Sequence, residues 1–598
     1  MKKTLSLFSV ALCITLVLSA CGKKEGTAEN KYGLSTRNNV VWWTAADITN
    51  IIPYLAQDVH AQYAYAFIWE PLNFVDPHTQ KLLPWLANVA EVSPDHLIYT
   101  YTIDPRAKFN DGHPLTGEDV MFSFKCVMNP RQIETTQTRG SLEAVDSISY
   151  VGGDKMKVAF YLNKPYFRMN VILAGGYVAI CPKHIFDPKN LTDQMSWKDI
   201  KSISPKNPVF QQQAEEFKDP AKVRDPKMMV GTGPYLFKEW ITNDHISFKK
   251  DPNYWAKDVP WGEAYPEEIS IKTITDNNAA VTALKAKDLD FMDLVPAALY
   301  PQLDSVKYPY IKRDTVYYNN RSYISWNAER SLFKSKKVRW ALSHLIDRDK
   351  IIKEIFKGLV RANNSAINFT QTHCDLSLKP IEFNPDLAKS MLAEEGWTDH
   401  DGDGILDKVI DGKSTPFHFT FSVYAGSDVV KQTALVISEE MRKAGIQVDV
   451  TTIEWSVWIE NSRTHNYDAE LANIGGNADE DDPYETFHSS QAKNKGQNVY
   501  SFINPEADKL IERFRTEFDY DKRHELMKAF QKIVYDEMPI TPLWCQPARL
   551  ARIDRFDNVE FIAQRPCVNV PWWVIRGTGM KPKAGAPSTY ARQTAYVQ

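Results

Sequence analysis

The stretch from residue 231 to residue 255, GTGPYLFKEWITNDHISFKKDPNYW, is the part of this 598-residue chain that most constrains its fold. Its opening Gly-Thr-Gly-Pro combines two glycines that tolerate positive φ with a proline of fixed φ, so the backbone turns sharply before residues 235–237. Residues 242–244 (TND) are typical of a turn, and residues 246–248 (ISF) alternate apolar with polar side chains. The pattern predicts a two-stranded hairpin. We interpret it as a return crossing between two separately built regions; an ordinary hairpin is the alternative.

Three further motifs lie on either side of this stretch: FNDGHPLTGEDV at 109–120, KVRWAL at 337–342 followed by Asp347-Arg348, and NPEAD at 504–508. Together with GTGPY and the later DPNYW, they occur in the order typical of the extracellular solute-binding proteins of family 5. The chain therefore resembles this family, whose members bind peptides, nickel or opines for ABC importers. The resemblance extends over residues 40–570.

This resemblance implies an α/β protein with a two-lobed periplasmic-binding-protein-like fold (type II, cluster C) and an extra β-rich inserted domain. It also implies that a dipeptide or oligopeptide is clamped between two closing lobes and delivered to an ABC permease and its ATPase. Within the same fold, the ligand could instead be another solute, such as a nickel chelate or an oligosaccharide, or a signalling peptide. We expect the protein to be a monomer.

Composition and motif content argue against other classes of protein. The 71 basic and 75 acidic residues give no reason to expect nucleic acid, whose binders usually carry a basic excess on one face. A secreted hydrolase would need a catalytic constellation, and the sequence has no Ser-His-Asp order or phosphate-cradling glycine loop in a suitable context. We therefore expect a binding protein without a cofactor, not an enzyme. The 16 tryptophans and 27 tyrosines offer rigid amphipathic surface for a binding cleft.

The first 21 residues have the pattern of a bacterial lipoprotein signal. Lys2 and Lys3 give a basic start, residues 4–20 carry no charge, and the run is too short and too interrupted by Ser and Thr to span a membrane comfortably. It ends in LSAC, which resembles a lipobox, so Cys21 is expected to become the lipidated N-terminus; a plain secretory signal is the alternative. Residues 22–35 are predicted to form a flexible tether. The protein is thus expected on the extracytoplasmic or periplasmic face of a bacterial envelope, held to the membrane by lipid only.

The cysteines give no sign of a metal or redox motif. Apart from Cys13 in the signal and Cys21, five remain, and they are Cys126, Cys181, Cys374, Cys545 and Cys567. No Cys-x-x-Cys spacing occurs, so most of the five are predicted to be small buried residues.

Hydrophobic patterns divide the chain into an interrupted first lobe, an insertion and a second lobe. The first lobe is predicted to comprise residues 36–71, 226–295 and 544–598, with 72–225 as the inserted β-rich domain and 296–543 as the second lobe. Crossings are expected near 225–231, 295 and 543. Residues 187–228 are interpreted as a surface excursion with a helix at 211–217.

Periodicity predicts several elements within these regions. Alternating residues at 97–103 and 156–162 indicate two half-buried strands. Residues 63–69 are interpreted as a short aromatic helix, and residues 338–356 keep helical spacing until Gly358. A strand at 417–423, a helix at 429–444 and a strand at 446–450 form a βαβ unit, whose parallel strands collect ligands at their carboxyl ends.

An acidic segment follows an apolar strand in the second lobe. Residues 478–483 (ADEDDP) come after residues 471–474 and a Gly-Gly pair, and four acids in a row are in general a solvated loop. Peptide-binding family members have a similar Asp-x-x-acid-Pro element whose first Asp holds the ligand's α-amine, so the resemblance implies this role for Asp479. The departure is Gly476, where these binders often have Trp. The full set of candidate ligand-binding residues is Asp479, Asp482, Tyr484, Trp455, Trp326, Asn327 and Asp58.

A second acidic segment, DHDGDGILD at 399–407, has oxygens at positions 1, 3, 5 and 9 of a calcium-type loop. The candidate ligands are Asp399, Asp401, Asp403 and Asp407. The twelfth position, which should supply a bidentate Glu, is Ile410. We therefore expect weak calcium binding or none, and a tight turn is the alternative. His113, His344, His373 and His465 show no mutual spacing that indicates a metal site.

Overall fold

The computed structural model describes residues 32–56, 58–77, 79–202, 205–259, 262–476, 481–493 and 496–581. The predicted signal, Cys21, most of the tether and Asp479 lie outside the described residues. Within the described ranges, no helix combines the length and apolar character needed to cross a membrane. The five predicted internal cysteines are all buried and unpaired, which confirms that they are small core residues.

The strands in chain order are β1 (Asn39–Thr44), β2 (Asn73–Val75), β3 (Leu82–Pro84), β4 (Glu91–Val92), β5 (Ile98–Thr102), β6 (Val145–Val151), β7 (Asp154–Leu162), β8 (Tyr235–Ile241), β9 (His245–Lys250), β10 (Glu268–Thr273), β11 (Phe291–Met292), β12 (Ile311–Tyr317), β13 (Asn320–Trp326), β14 (Arg361–Ala362), β15 (Asp407–Ile410), β16 (Lys413–Pro416), β17 (His418–Tyr424), β18 (Gln447–Ile453), β19 (Ala469–Gly475), β20 (Ile540–Cys545), β21 (Pro547–Ile553), β22 (Phe556–Asp557) and β23 (Val574–Ile575).

The α-helices are α1 (Val59–Tyr65), α2 (Gly117–Met128), α3 (Thr136–Ser141), α4 (Met169–Ala174), α5 (Lys183–Phe186), α6 (Trp197–Ile200), α7 (Val209–Lys218), α8 (Pro220–Val223), α9 (Asn277–Ala286), α10 (Lys336–Ser343), α11 (Arg348–Glu354), α12 (Pro385–Glu394), α13 (Asp428–Lys443), α14 (Trp455–Arg463), α15 (Tyr484–Phe487), α16 (Pro505–Thr516) and α17 (Tyr520–Glu537).

The first lobe is built on a seven-stranded sheet of order β12-β21-β11-β1-β10-β9-β8. The predicted hairpin is confirmed as the antiparallel pair β8–β9. The sequence predicts that the two glycines supply positive φ, but neither has a positive φ in the structure, and they are needed for a different reason. A Cβ on Gly231 would lie 2.0 Å from the carbonyl oxygen of Ile68, and one on Gly233 would lie 2.4 Å from that of Phe67. Glycine is therefore required because the hairpin packs directly against the backbone that follows α1.

The second lobe is built on a six-stranded sheet of order β14-β20-β13-β19-β17-β18. The predicted βαβ unit is confirmed: β17 and β18 are parallel, with His418 opposite Gln447, and α13 connects them. β19 continues the parallel run beside β17, and it pairs antiparallel with β13 on its other side. This arrangement sends β17, β18 and β19 toward one edge of the sheet.

The inserted domain has a four-stranded sheet of order β4-β5-β7-β6, which contains both predicted half-buried strands. Thr116 caps α2 in a reciprocal capping box with Asp119, which satisfies backbone donors at the helix start. The 187–228 segment is predicted to be a surface excursion, but part of it is buried. Its helix α7 begins at Val209 and buries Val209 and Phe210 in the core of the inserted domain.

Two helix predictions need correction at their ends. The helix predicted over 63–69 is α1, which begins earlier because Asp58 accepts a hydrogen bond from the backbone N of Ala61 and caps it. The helical pattern over 338–356 belongs to two helices, α10 and α11. The pattern is interrupted because Asp347 accepts from the backbone N of Lys350 and so starts a new helix.

The chain passes between the two sheets at residues 318–319 and at Gln546. β12 ends at Tyr317 in the first sheet and β13 begins at Asn320 in the second, while β20 ends at Cys545 and β21 begins at Pro547. Val295, where the sequence predicts a crossing, lies beside the first sheet, because its N–H donates to the carbonyl oxygen of Arg549 in β21. The domain boundaries derived from sequence remain predictions.

Candidate functional site

Both sheets direct the carboxyl ends of their parallel strands toward these passages. In the second sheet, β17, β18 and β19 end at Tyr424, Ile453 and Gly475. In the first sheet, β1 and β11 are parallel and run in the same direction as β12, which ends at the passage. Ligands of open α/β sheets collect outside the carboxyl ends of the strands. The space between the two edges is therefore the candidate binding site.

The acidic element predicted to hold the ligand's amine begins and ends at this passage. Its residues 477–480 lie outside the described residues, but both flanks are described. The backbone N of Gly476 donates to the carbonyl oxygen of Asn319 (2.8 Å), and Asn319 Nδ2 donates to Asp481 Oδ1 (2.8 Å). Asp481 Oδ2 also lies 3.5 Å from Arg321 Nη1. The predicted amine-binding segment is thus attached at both ends to the connection between the two sheets.

Asp482 and Tyr484 take part in a largely buried polar cluster, the clasp, formed with Tyr166 and Arg515. Asp482 Oδ2 lies 2.9 Å from Arg515 Nε and accepts a hydrogen bond from Tyr166 Oη (2.5 Å). The Arg515 guanidinium lies over the rings of Tyr166 and Tyr484, at 4.5 and 4.1 Å from their centroids. Burial and the Asp482 charge raise the pKa of Tyr166. The clasp joins the inserted domain to the second lobe, and ligand contact by Asp482 or Tyr484 remains a prediction.

Trp326 and Asn327 lie away from the candidate site. β13 begins at the passage and runs away from it, so its last residues reach the opposite edge of the sheet. Trp326 is fully buried, and its Nε1 donates to Thr541 Oγ1 (2.8 Å). Asn327 Nδ2 donates to the carbonyl oxygens of His465 (3.0 Å) and Tyr467 (2.8 Å). These two residues hold the core of the second lobe together, and we withdraw them as ligand-binding candidates.

Trp455 and Asp58 lie at the carboxyl edges of the two sheets. Trp455 follows β18 and is 54% exposed, with its ring stacked on Trp458 at 5.4 Å and edge-on to Tyr424 at 5.5 Å. Asp58 is exposed at the start of α1, which it caps. Their contact with a ligand remains a prediction.

Sequence analysis missed a second polar cluster, the polar chamber, in the first lobe beside the passage. It consists of His60, Tyr63, Asp293 and Arg565. Asp293 Oδ1 accepts from Trp42 Nε1 (3.0 Å) and lies 3.3 Å from His60 Nε2. The Arg565 guanidinium lies 5.6 Å from the ring centroid of Tyr318, which is itself in the passage.

Several polar atoms of the chamber are buried without a hydrogen-bond partner among the described residues. These atoms are Tyr63 Oη, Asp293 Oδ2 and Arg565 Nε. Burial opposes ionisation of Asp293, but the neighbouring His60, Trp42 and Arg565 outweigh it and hold the pKa of Asp293 below its usual value. Burial, together with the Asp293 charge, raises the pKa of Tyr63. The chamber is therefore a charged, incompletely satisfied site that faces the connection between the lobes.

The chamber has no sequence motif because its members come from distant segments; His60 and Asp293, for instance, are 233 positions apart. One signal was available. Asp293 directly follows the short strand β11, and an acid at the carboxyl end of a buried strand is a typical ligand-binding position.

The predicted calcium loop brings three of its four candidate ligands together. Oxygens of Asp399, Asp401 and Asp403 lie within 4.8 Å of one another. Asp407 is turned to a structural role, because its carboxylate accepts from the backbone N of His400 (2.9 Å) and from Ser414 Oγ (3.2 Å). Ile410 pairs with Lys413 in the hairpin β15–β16 and cannot supply an oxygen from its side chain. Weak calcium binding or none remains the prediction.

Comparison with known proteins identifies relatives over almost the whole chain. Residues 81–497 match the model of the "Bacterial extracellular solute-binding proteins, family 5 Middle". The oligopeptide-binding protein AppA of Bacillus subtilis is 28% identical over 597 residues, covering 96% of this chain and 99% of AppA. A structure of AppA in complex with a nonapeptide is similar with a TM-score of 0.71 at 27% identity, over 90% of this chain and 98% of that one. NikA from Brucella suis in complex with Fe(III)-EDTA shares the fold, with a TM-score of 0.72 at 20% identity over 90% and 99% of the chains.

Proposed function

This chain belongs to family 5 of the bacterial extracellular solute-binding proteins, and from that membership we propose that it captures a small peptide between its two lobes. The family consists of substrate-binding proteins, so the chain is a solute-binding protein of an ABC importer system and not an enzyme. Its fold is the two-lobed α/β fold of that family, with the inserted domain described above.

The observation that carries the peptide proposal is the attachment of the acidic element at the passage. Gly476 and Asp481, which flank residues 477–480, both bond to Asn319 at the carboxyl edge of the second sheet. The AppA relative, solved with a nonapeptide, supports the same class of ligand. In the proposed complex Asp479 pairs with the ligand's α-ammonium group, and the polar chamber supplies the contacts of the first lobe.

The proposed pairing has a size that separates it from a solvated aspartate. In a closed cleft, truncating one partner leaves a desolvated charge unpaired, which costs about 2–5 kcal/mol, or about 30- to 4,000-fold in affinity. A solvated loop aspartate would change affinity by within about 0.5 kcal/mol.

The first experiment is native mass spectrometry of freshly purified protein, to identify a retained ligand. A peptide supports the proposal, and a retained metal chelate or oligosaccharide contradicts it. The second is binding of one retained peptide, free or N-acetylated, to wild type, to Asp479→Asn and to the control Asp401→Asn, which changes an exposed acid outside the candidate site. We expect Asp479→Asn and N-acetylation each to weaken binding strongly and not additively, because both remove the same charge pair. Equal affinity for the acetylated peptide would refute the role of Asp479.

We further propose that Cys21 carries the membrane anchor and that the lobes close on the ligand. Two or more acyl chains on Cys21 make anchoring stable, since a single chain gives only marginal, reversible binding. Metabolic labelling with a fatty acid tests this: Cys21→Ser should lose both the label and the membrane association.

Small-angle scattering tests whether the lobes close. It should show a smaller radius of gyration at saturating ligand, and an unchanged profile would count against closure.

A further inference from the structure

A cluster of two histidines and one aspartate lies on the inserted domain, outside the space between the sheet edges. Asp111 and His113 belong to the loop before α2, and His184 belongs to α5. His184 Nε2 lies 2.7 Å from Asp111 Oδ2, and His113 Nδ1 lies 3.1 Å from the same oxygen. All three ligand atoms lie within 4.8 Å of one another. Among the described residues, this is the one group of three such side chains that contains histidine.

We propose that Asp111, His113 and His184 bind a divalent late first-row transition-metal ion. Imidazole nitrogen suits zinc, copper and nickel, whereas calcium and magnesium prefer oxygen alone. Bonds of about 2.0–2.2 Å at tetrahedral angles place the ligand atoms about 3.3 Å apart. The two distances from Asp111 Oδ2, 2.7 Å to His184 Nε2 and 3.1 Å to His113 Nδ1, need only a small widening to admit the ion. Open positions on the solvent side would be filled by water.

Asp111 and the loop that carries it are held in place before any ion binds. Asp111 Oδ1 accepts the backbone N–H of His113 (3.0 Å), which leaves Oδ2 directed at both imidazoles. The loop itself is closed by Gly112, whose φ of +94° favours glycine and whose N–H donates to the carbonyl oxygen of Phe109 (2.9 Å). Such support orients metal ligands and is worth as much as about 10- to 100-fold in affinity in known sites.

The helix that carries His184 is equally fixed. The backbone N of Lys183 donates to Asp119 Oδ1 (2.9 Å), and Phe186 is buried and stacks on Phe217 at 5.2 Å. The rings of His113 and His184 are neighbours, with centroids 4.0 Å apart, and each places a nitrogen close to Asp111 Oδ2. A bound ion would connect two segments that are 73 positions apart in the chain, and it would stabilise the inserted domain by mass action.

The test is titration of the full chain, purified without a histidine tag, with Zn²⁺ and with Cu²⁺. We expect one ion per chain and a higher thermal unfolding midpoint with Zn²⁺. In His113→Ala and in His184→Ala, affinity should fall by at least the roughly 10- to 100-fold that the loss of a supporting group costs. Electron paramagnetic resonance of the Cu²⁺ form should show two coupled imidazole nitrogens in wild type and one in each variant.

Two control variants make the result specific. His418 forms an exposed pair with Asp449 (Nε2 to Oδ2, 2.7 Å) that lacks a third ligand, so His418→Ala should bind metal as wild type does. Asp401→Ala removes one carboxylate of the all-oxygen cluster and should also leave Zn²⁺ affinity unchanged. The proposal is overturned if no saturable uptake occurs, if both cluster variants bind as wild type does, or if Asp401→Ala abolishes binding. Unfolding midpoints measured without metal establish that each variant is folded.

Discussion

The clasp and the polar chamber each bring an aspartate, an arginine and tyrosine together at a junction of the molecule, yet they differ in how completely these groups are paired. In the clasp, Asp482 accepts the Tyr166 hydroxyl, and the Arg515 guanidinium has two carboxylates close to it, Asp482 at 2.9 Å and Glu143 at 3.6 Å. Its charge is therefore paired, although Arg515 Nε, like the chamber atoms, has no hydrogen bond of good geometry among the described residues. In the chamber, Asp293 Oδ2 and Arg565 Nε are buried without a hydrogen-bond partner among the described residues. Arg565 affects Asp293 only through its charge.

This difference indicates different roles. A buried polar atom that has lost water without gaining a partner costs free energy, so folded proteins rarely retain one without a purpose. The paired groups of the clasp already stabilise the folded arrangement of the inserted domain and the second lobe. The chamber's unpaired groups can gain hydrogen bonds from a molecule that binds beside them. We therefore propose that the clasp stabilises the fold, whether or not Asp482 or Tyr484 also contacts the ligand, and that the chamber binds ligand.

The largest expected effect comes from breaking the clasp. Asp482→Asn removes the nearer of the two carboxylates beside the Arg515 guanidinium, whose side chain is 12% exposed, and leaves Glu143 Oε1 at 3.6 Å from Nη1. Leaving a buried charge wholly unpaired costs about 3–5 kcal/mol, and because Glu143 still offsets part of the charge, the expected loss lies at or below the lower end of that range. We expect a correspondingly lower free energy of unfolding in urea, or a lower midpoint for the inserted domain if it unfolds separately.

The matched control is Arg442→Ala, which removes an ion pair with Glu439 on the exposed face of α13. Surface pairs of this kind contribute little, so no measurable change is expected. Equal loss of stability in Asp482→Asn and Arg442→Ala would show that the clasp is no more than a surface pair.

Glu470 is a buried acid without a neighbouring cation, and it makes the stability of the protein depend on pH. Burial raises the pKa of Glu470 to about 8, opposed only by a hydrogen bond from Ser462. In the unfolded chain this carboxyl titrates near its ordinary value of 4.5, so between these pH values the folded state holds the additional proton. The contribution of Glu470 to stability is therefore fully present below about pH 4.5 and is lost as pH rises toward 8, by about 1.4 kcal/mol per pH unit in that window. From about pH 6 to pH 7.5 the expected loss is about 2 kcal/mol.

Glu470→Gln should remove most of this slope, as measured by urea unfolding at a series of pH values. A smaller slope should persist because burial also raises the pKa of Glu70, to about 7. If the slope is the same in wild type and Glu470→Gln, then Glu470 is already ionised in the folded protein, and the prediction that burial keeps it protonated is wrong.

The comparison also shows which parts of the molecule were accessible from sequence. The hairpin at 231–255 and the βαβ unit were predicted because their periodicity and turn residues are local. The clasp was partly visible, since Asp482 and Tyr484 were named, but their partners Tyr166 and Arg515 are distant in sequence. The whole chamber was missed for the same reason.

Burial explains the remaining errors. Trp326 and Asn327 are among the ligand-binding candidates of the sequence, yet the direction of β13 places them at the opposite edge of the sheet. Strand direction depends on which strands become neighbours, and this is decided by long-range pairing that a local pattern does not contain. The same limitation hid the pairing of His113 with His184.

A smaller effect tests the chamber itself. Tyr63→Phe removes a buried hydroxyl that has no hydrogen-bond partner among the described residues, so stability should be unchanged or slightly higher. Peptide binding should weaken, because one hydrogen bond contributes about 0.5–1.5 kcal/mol, or about 2- to 13-fold in affinity. Differential unfolding and peptide titration of the same samples measure both quantities.

Tyr101→Phe is the control with the opposite pattern. Its buried hydroxyl donates to Asn170 Oδ1 (2.7 Å) within the inserted domain, so this variant should lose about 0.5–1.5 kcal/mol of stability. It should bind peptide as wild type does. If Tyr63→Phe instead behaves like Tyr101→Phe, the chamber hydroxyl has a structural partner, and the chamber loses its assigned role.

The smallest effect is expected where acids are neither paired nor buried. Asp399, Asp401 and Asp403 are exposed, and Asp399 is occupied in accepting backbone N–H groups from Gly402 (2.7 Å) and Gly404 (3.0 Å). These bonds hold the turn without an ion, and no carboxylate is available at the twelfth loop position, where Ile410 stands. Asp401→Ala should therefore change the free energy of unfolding by within about 0.5 kcal/mol. Calcium should not shift the unfolding midpoint of wild type, and a saturable calorimetric titration with calcium that Asp401→Ala abolishes would show that three carboxylates suffice.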